Sequence, residues 1–479
     1  MQNSSLHGCS SENVLFSHGT ISLLSEASTM RKEITELSEK YRDIFEKCSD
    51  EIWSTPELNF TEYRSHETAM NCMKELGFEI STLPDMDTAF IASAGHGSPV
   101  IGILGELDAL PNLSQKADID HQAPLVYGAP GHGCGHNLLG CGGMECAYIL
   151  KKYFEEHHIE GTIKYFSCPA EEGGVGKVYM IHRGAFDDVD FCVNWHPSTS
   201  FGIVHDGKSI LLQNYRFHGI ASHAAGAPEM GRSALDALEL FNIGIQFIRE
   251  HMSKETYIQY AITNAGGNAA NIVQAYAEGQ YVIRAKDNTE LKKMQARVDK
   301  IAKGAAMMTE TEVEEPEIVS AFSSFIDNPT LADLARKHIR ECMPMQYTDE
   351  EKAYLQKFIA YGSKAGSNLL IDDEIHEDHK TSSDVSDVSW IVPTVMINVP
   401  TWAIGTSAHT WSATAQGKSS PAHKGMNLAA QIMANIALDM VEDPALIVQA
   451  KEELKKNLNG RVYEEECFIA KDRKPVPIY

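Results

Sequence analysis

The sequence predicts an α/β protein: a mostly parallel sheet with helices on both faces, interrupted by a smaller α+β domain. Three observations lead to this fold class. Short apolar runs alternate with segments of helical periodicity on both sides of the middle of the chain. Near Gly207 the pattern changes to several strands close together. At 479 residues the chain is also too long for one ordinary core.

The first part of the chain alternates between the two kinds of element. Helical spacing of apolar residues predicts helices, and short apolar runs bounded by glycine or proline predict strands. The predicted helices cover residues 29–53, 66–76 and 137–154, and the predicted strands cover 88–93, 99–104, 162–167 and 191–195. This alternation is typical of a parallel sheet covered on both faces.

The middle of the chain predicts a second, antiparallel sheet. Its predicted strands are 210–217, 258–263, 271–277, 280–285 and 313–321, with helices at 233–250 and 289–307. We therefore expect a metal-binding catalytic domain over 30–207 and 323–479. Residues 208–322 are expected to form an inserted lid and dimerisation domain. In the last part, 392–399 predicts a buried strand and the acidic stretch 349–387 predicts a loop-rich excursion.

Composition limits the classes of partner. The formal net charge is −25, from 66 acidic and 41 basic residues. This excess repels phosphate backbones and anionic lipids, so we expect neither nucleic acid nor membrane partners. The polar, Ser-rich residues 1–29 do not read as a secretory signal and are expected to be a flexible leader. Ten cysteines without a dense spacing pattern indicate free thiols in the cytoplasm.

Candidate ligands follow the predicted strands. Five short clusters carry them: 106–108, 131–137, 171–174, 195–197 and 408–410. Each cluster alone is more typical of a capped turn or a solvated loop, but their ordered recurrence at strand ends favours a site. Cysteine, imidazole and carboxylate together suit a transition ion, and a pair of ions needs about five protein ligands. That number is supplied by Cys134, His136, Glu172, His196 and His409.

The ordered motifs also resemble a known family. From about residue 30 to 440 the sequence is similar to the dinuclear metallopeptidases and amidohydrolases that include carboxypeptidase G, aminoacylases and indole-acetyl-amino-acid hydrolases. The motifs that carry the resemblance are GELDALP, GHGCGHNLLG, PAEEGG, NWHP, GIASHAA, GRSALDAL, NAANIVQA and AHTW with AHKGM. The resemblance implies two divalent metal ions, manganese or zinc. It also implies a small N-acyl amino acid as substrate, p-aminobenzoyl-glutamate in particular, and a homodimer or a heterodimer with a related chain.

The resemblance assigns roles residue by residue. It makes the five residues named above metal ligands, with Glu171 as the general base and Asp108 as an outer-sphere carboxylate. His223 takes the place of an oxyanion donor that reaches a partner's site. Substrate-binding positions correspond to Asn271, Arg284 and Arg232. The chain departs from many relatives at Glu106, where they carry histidine, and at Asn137, where the cysteine-bearing branch usually carries aspartate.

Other interpretations remain open from the sequence. A general N-acyl-amino-acid hydrolase or dipeptidase would carry the same metal motifs. A cysteine hydrolase would use Cys134 with His132 or His136, but would not require the remaining clusters. A zinc nucleobase deaminase needs a motif that is not present around Cys134 or Cys168. A non-catalytic partner of a related hydrolase is disfavoured because all five predicted ligands and the predicted base are present.

Overall fold

A computed structural model describes residues 31–477, so the predicted leader lies outside the described residues. Two sheets contain all the named strands of this part. In chain order the strands are β1 (Glu79–Leu83), β2 (Met86–His96), β3 (Val100–Glu106), β4 (Gly161–Cys168), β5 (Phe191–Ser198), β6 (Ser200–Gly207), β7 (Ser209–His218), β8 (Tyr257–Asn264), β9 (Tyr276–Ala285), β10 (Glu312–Val313), β11 (Glu317–Phe322), β12 (Asp372–Thr381) and β13 (Thr394–Pro400).

Helices separate and cover these strands. They are α1 (Lys32–Ser54), α2 (Tyr63–Glu75), α3 (His136–His157), α4 (Gly176–His182), α5 (Ala234–Ile248), α6 (Asn288–Thr309), α7 (Pro329–Cys342), α8 (Asp349–Ile359), α9 (Val385–Val388), α10 (Trp411–Gln416), α11 (Ser420–Glu442), α12 (Pro444–Leu458) and α13 (Tyr463–Glu466). Two short 3₁₀ turns flank α5, at Pro228–Met230 and Arg249–His251. Within the described part of the chain, none of the helices combines the length and apolarity needed to cross a membrane.

The larger sheet has eight strands in the order β1-β2-β4-β3-β5-β13-β6-β12. Its four central strands, β4, β3, β5 and β13, run parallel to one another. Alternate residues of these strands enter different cores: Val193 packs with α1, α3 and α11, whereas the neighbouring Cys192 packs on the opposite face with α4 and α9. The predicted fold class, a mostly parallel sheet with helices on both faces, is therefore confirmed.

The smaller sheet is antiparallel and contains only strands from residues 209–322. Strand β9 shows strict alternation of buried and half-buried residues, as expected when one face packs on helices. That face lies against α5 and α6 through Phe241, Tyr281 and their neighbours. Strand β8 forms one edge of this sheet, and most of its residues are exposed.

Two local predictions were wrong. The predicted strands 271–277 and 280–285 are one strand, β9, because residues 271–275 bend away to contact the loop that carries His223. The predicted loop-rich stretch 349–387 contains α8, β12 and most of α9. Strand β12 lacks apolar alternation because it is a polar edge strand, paired on one side with β6.

Helix α3 carries an unusual buried carboxyl group. Its central residue Glu145 is fully buried, and its Oε1 accepts a hydrogen bond from Ser38 Oγ at 2.5 Å. Burial raises the pKa of Glu145 to about 8. The folded protein therefore binds this proton more tightly than the unfolded chain does, and its contribution to stability is lost as the pH rises towards 8.

We expect the Glu145→Gln variant to gain stability over the wild type as the pH increases. Glutamine keeps the shape and the neutral state, so the two proteins should be alike at low pH. Between the ordinary glutamate pKa of 4.5 and the folded-state pKa of about 8, the unfolding free energy of the wild type should fall. The expected slope is at most about 1.4 kcal/mol per pH unit. Urea unfolding of both proteins at about pH 6 and about pH 8.5 measures this difference. The prediction is contradicted if the two proteins differ in unfolding free energy by the same amount at both pH values.

Candidate active site

The four central parallel strands bring most of the predicted ligands to one edge of the larger sheet. Glu106 is the last residue of β3, Glu171 and Glu172 follow β4, His196 lies near the end of β5, and His409 lies in the loop after β13. The carboxyl ends of neighbouring parallel strands meet at the same edge, which is where open α/β sheets place their ligands. The φ of His409 is +61°, a left-handed value that non-glycine residues rarely adopt.

The turn before α3 brings the thiol and an imidazole to the same edge. Gly135 separates Cys134 from His136 and has a φ of +78°. A Cβ at this position would lie 3.0 Å from side-chain atoms of both Pro197 and Trp402. Both the left-handed conformation and the lack of space therefore require glycine here.

Cys134 belongs to two groups of potential metal-binding atoms. One consists of Cys134, His136 and His196, and the other of Cys134, Glu172 and His409. Within each group the ligand atoms lie within 4.8 Å of one another. The five residues predicted as ligands are thus brought together, and the two groups share the Cys134 thiol.

Both imidazoles of the first donor group, on buried His136 and half-buried His196, present Nε2 to this centre. His136 Nδ1 donates to Asp108 Oδ1 at 2.9 Å, and His196 Nδ1 donates to the Pro197 carbonyl at 2.8 Å. A proton held on Nδ1 leaves the Nε2 lone pair free, which is the usual arrangement of metal-binding histidines. Asp108 Oδ2 also accepts from the Glu172 backbone N–H at 2.9 Å. Asp108 therefore orients one ligand through its side chain and another through its backbone.

The charges at the centre favour the binding of cations. Five acidic side chains lie in or next to it, and among the described residues Lys177 is the only lysine or arginine that forms an ion pair with any of them. The five are Glu106, Asp108, Glu171, Glu172 and Asp384. Buried carboxylates are costly unless they are paired or bind metal. Two of the facing atoms, His136 Nε2 and Glu172 Oε1, are buried without a hydrogen-bond partner in the described structure. The donor set therefore fits divalent metal.

Glu171 lies beside these ligands. Its Oε2 is 3.8 Å from His136 Nε2, and its side chain borders a cavity. Burial, together with the neighbouring charges of Glu106 and Glu172, raises the pKa of Glu171 well above its usual range. A carboxyl group with a raised pKa can accept and return a proton near neutral pH.

The surroundings of Cys134 do not favour a cysteine nucleophile. Its Sγ is 3.4 Å from His196 Nε2. Burial and the charge of Glu172 nevertheless raise the pKa of the Cys134 thiol well above its ordinary value. Catalytic cysteines require a lowered pKa instead. A thiolate here needs a bound cation, as expected for a metal ligand.

A cavity of about 350 Å³ opens onto the candidate ligands. Its wall includes Ser382, Ser383 and Asn398 as well as four of the five ligands. Arg284 reaches this wall from β9, because its Nη1 donates to Ser382 Oγ at 3.3 Å. The guanidinium is half-buried and forms no ion pair with a described residue. The described contacts thus leave it available to pair with a substrate carboxylate.

Three predicted site residues lie elsewhere on the insert. His223 accepts hydrogen bonds from the backbone N–H groups of Ala225 and Gly226 in its own loop. The Asn271 carbonyl accepts from the same loop. Arg232 is ion-paired with Glu310. None of these described contacts reaches the cavity, so their predicted roles require a second copy of the chain or a movement of the insert.

A buried ion-pair group, which was not predicted from the sequence, lies behind the ligands. Lys177 Nζ donates to both Glu106 Oε1 and Asp384 Oδ1 at 2.6 Å. Lys177 lies in an apolar run, GVGKVYM, where a lysine must be buried and paired if the segment packs on the sheet. This signal was present in the sequence. The ion-pair partner of Lys177 was not identifiable, because Asp384 is 207 residues away in a polar stretch.

Comparison with known proteins identifies the family. The model of peptidase family M20/M25/M40 matches residues 102–397, more than half of the chain. The chain belongs to this family. The resemblance of its motifs to dinuclear metallopeptidases and amidohydrolases is confirmed. The predicted enzyme class, a metal-dependent amidohydrolase, is confirmed as well.

Two relatives are similar over most of the M20 chain. One is a component of the p-aminobenzoyl-glutamate hydrolase of Escherichia coli, 37% identical over 471 residues that cover 92% of this chain and 96% of that protein. The other is the Xaa-Arg dipeptidase of Mus musculus, 27% identical, with 90% and 94% covered. The second component of the Escherichia coli hydrolase is 29% identical over 46% of this chain and 52% of its own.

A solved structure shares the fold. A dinuclear metal binding peptidase of the M20 family from Bacillus subtilis superposes with a TM-score of 0.54 at 18% identity, covering 86% of this chain and 99% of that one. Because the identity is low, the likeness concerns the fold. Family membership and the clustered donor atoms together establish metal use, but not which metal is used.

We expect His196→Ala to lose metal while remaining folded. The variant removes one Nε2 donor from the group that also contains Cys134 and His136. Elemental analysis after gel filtration should then find fewer metal ions per chain than in the wild type. His182→Ala is the control, since this half-buried histidine lies on α4 outside the donor groups. Equal metal content in wild type and His196→Ala would exclude His196 as a ligand.

Proposed function

We propose that this M20 chain hydrolyses the amide bond of N-acyl amino acids, with p-aminobenzoyl-glutamate as the preferred substrate and p-aminobenzoate and glutamate as products. The proposal is supported chiefly by the two donor groups that share Cys134. Glu171 lies beside them, next to His136. The choice of substrate rests on the similarity to the 37% identical component of the p-aminobenzoyl-glutamate hydrolase over nearly its whole length.

The donor chemistry suggests two divalent ions, manganese or zinc. Cys134, His136 and His196 would hold one ion, and Cys134, Glu172 and His409 the other. Bound divalent cations supply Lewis acidity, polarising the amide carbonyl and lowering the pKa of water. A site that depends on a free thiol suits a reducing compartment, and we place the protein in the cytoplasm; all nine described cysteines are free.

The chain's own residues would perform the proton transfers and bind the substrate. Glu171 would accept the proton of the attacking water and deliver it to the leaving nitrogen. Arg284 would pair with a carboxylate of the substrate, which its half-buried position at the cavity wall supports. Closure of the domain formed by residues 208–322 over the catalytic domain would exclude water from the cavity.

The experiment is hydrolysis of p-aminobenzoyl-glutamate by the purified chain after chelation and after restoring manganese or zinc. A panel of N-acyl amino acids and dipeptides is measured beside it. We expect cleavage of the aromatic glutamate amide only with metal, and loss of turnover with normal metal content in Glu171→Gln. Cleavage of panel members alone would keep the mechanism and reject the substrate. Full activity of Glu171→Gln would contradict its role as the base.

A homodimer would form through the edge of the smaller sheet. Among the described strands, β8 pairs only with β9, and it exposes Tyr257, Tyr260 and Ile262. The neighbouring helix α5 exposes Ile243 and Phe247, the latter by 72%. An exposed edge strand next to exposed apolar side chains is suited to pairing with the same strand of a second copy about a two-fold axis. Such a dimer would give His223 a partner's site to enter.

We expect the wild type to be a dimer and Phe247→Glu to be a monomer, because a buried charge would oppose pairing. Light scattering after gel filtration measures the mass against 52.9 kDa per chain. Val448→Lys, at an exposed apolar position of α12, is the control and should stay dimeric.

Complementation between two variant chains tests the role of His223 across the dimer. Co-expressed His223→Ala and Glu171→Gln chains should recover activity that neither variant has alone. If the wild type is monomeric and active only with a related chain, the functional form is a heterodimer and not a homodimer. Activity of a monomeric wild type alone would reject the shared site.

A further inference from the structure

The free oxygen of Glu106 faces the position between the candidate ligands. Glu106 is 1% exposed, and its Oε2 has no hydrogen-bond partner among the described residues. This oxygen is 3.3 Å from His136 Nε2, which also lacks a partner. Glu106, His136 and Glu171 form a third group whose ligand atoms lie within 4.8 Å of one another.

When His136 is neutral, as in a metal-binding histidine, the two facing atoms repel each other unless a cation lies between them. Neutral His136 donating through Nδ1 to Asp108 presents a lone pair on Nε2. The Glu106 carboxylate also presents lone pairs. Unpaired acceptors in a buried site are unfavourable, and a divalent cation bound by both would satisfy them at once.

The orientation of Glu106 is set from behind by Lys177. The fully buried Nζ of Lys177 donates to Glu106 Oε1 at 2.6 Å, leaving Oε2 to point towards His136. Asp384 holds Lys177 twice, accepting from Nζ at 2.6 Å and from the Lys177 backbone N–H at 2.9 Å. The group of one ammonium and two carboxylates has a net charge of about −1. Glu106 Oε2 presents this charge to the centre.

We infer that Glu106 is a sixth protein ligand, bound to the same cation as His136, and that Lys177, anchored by Asp384, is the positioning residue that aims it. The inference rests on the proposed dinuclear hydrolase.

The test uses Co²⁺ as the probe, added to the chelated full-length chain. Stepwise titration measures the affinity for each ion, and visible absorption reports the coordination number. We expect Glu106→Gln to bind one of the two ions about 10- to 100-fold more weakly than the wild type. The loss of a ligand should also strengthen the d–d absorption of the affected ion. This variant keeps a neutral Lys177–Asp384 pair and should fold.

The Lys177→Met variant tests the positioning role. It should weaken the same ion and shift the same absorption, and the double variant with Glu106→Gln should be no weaker than Glu106→Gln alone. Asp384→Asn keeps the Lys177–Glu106 pair neutral, so it provides the same test if Lys177→Met does not fold. Glu145→Gln, which changes a buried carboxyl group further along α3 and outside the donor groups, is the control and should match the wild type.

The outcomes separate this inference from the proposed function. If the wild type binds no Co²⁺, the dinuclear hydrolase itself is rejected. If the wild type and Glu106→Gln bind both ions with equal affinity and equal spectra, Glu106 is not a ligand. If the effects of Lys177→Met and Glu106→Gln add independently, or Asp384→Asn behaves as wild type, Lys177 does not act through Glu106.

Discussion

Buried negative charge is the constraint on which the arrangement of this site depends. Glu106, Asp108, Glu171, Glu172 and Asp384 converge at one edge of the larger sheet, and Lys177 balances only part of their charge. A fold that places so many carboxylates together is stable only if cations occupy the centre or the acids take up protons. The raised pKa of Glu171 and the unpaired atoms of His136 and Glu172 have this common origin.

The fold concentrates these charges through strand geometry. Four parallel strands end side by side, so residues separated by hundreds of positions in the sequence meet without long loops. The candidate ligands lie on this rigid edge, whereas Arg284 reaches it from the smaller sheet. A ligand that contacts both Arg284 and the candidate metal ligands would therefore connect the two sheets.

The sequence predicts this architecture well where apolar pattern and strand ends define it. The four central strands are short apolar runs, and each predicted ligand lies at the end of one of them, in the loop after it, or at the start of α3. Strand β12 could not be predicted, because its pairing with β6 replaces the apolar alternation that a strand normally shows. The pairing of Lys177 with Asp384 could not be predicted either, since it joins two segments 207 residues apart in the sequence. The predicted role of His223 depends on a neighbouring chain or a movement, neither of which a single chain encodes locally.

Anomalous diffraction from crystals grown with zinc would show directly whether two cations share Cys134, as proposed. We expect two peaks, both within bonding distance of Cys134 Sγ, with His136 and His196 at one and Glu172 and His409 at the other. A single peak, or peaks that do not contact Cys134, would contradict it.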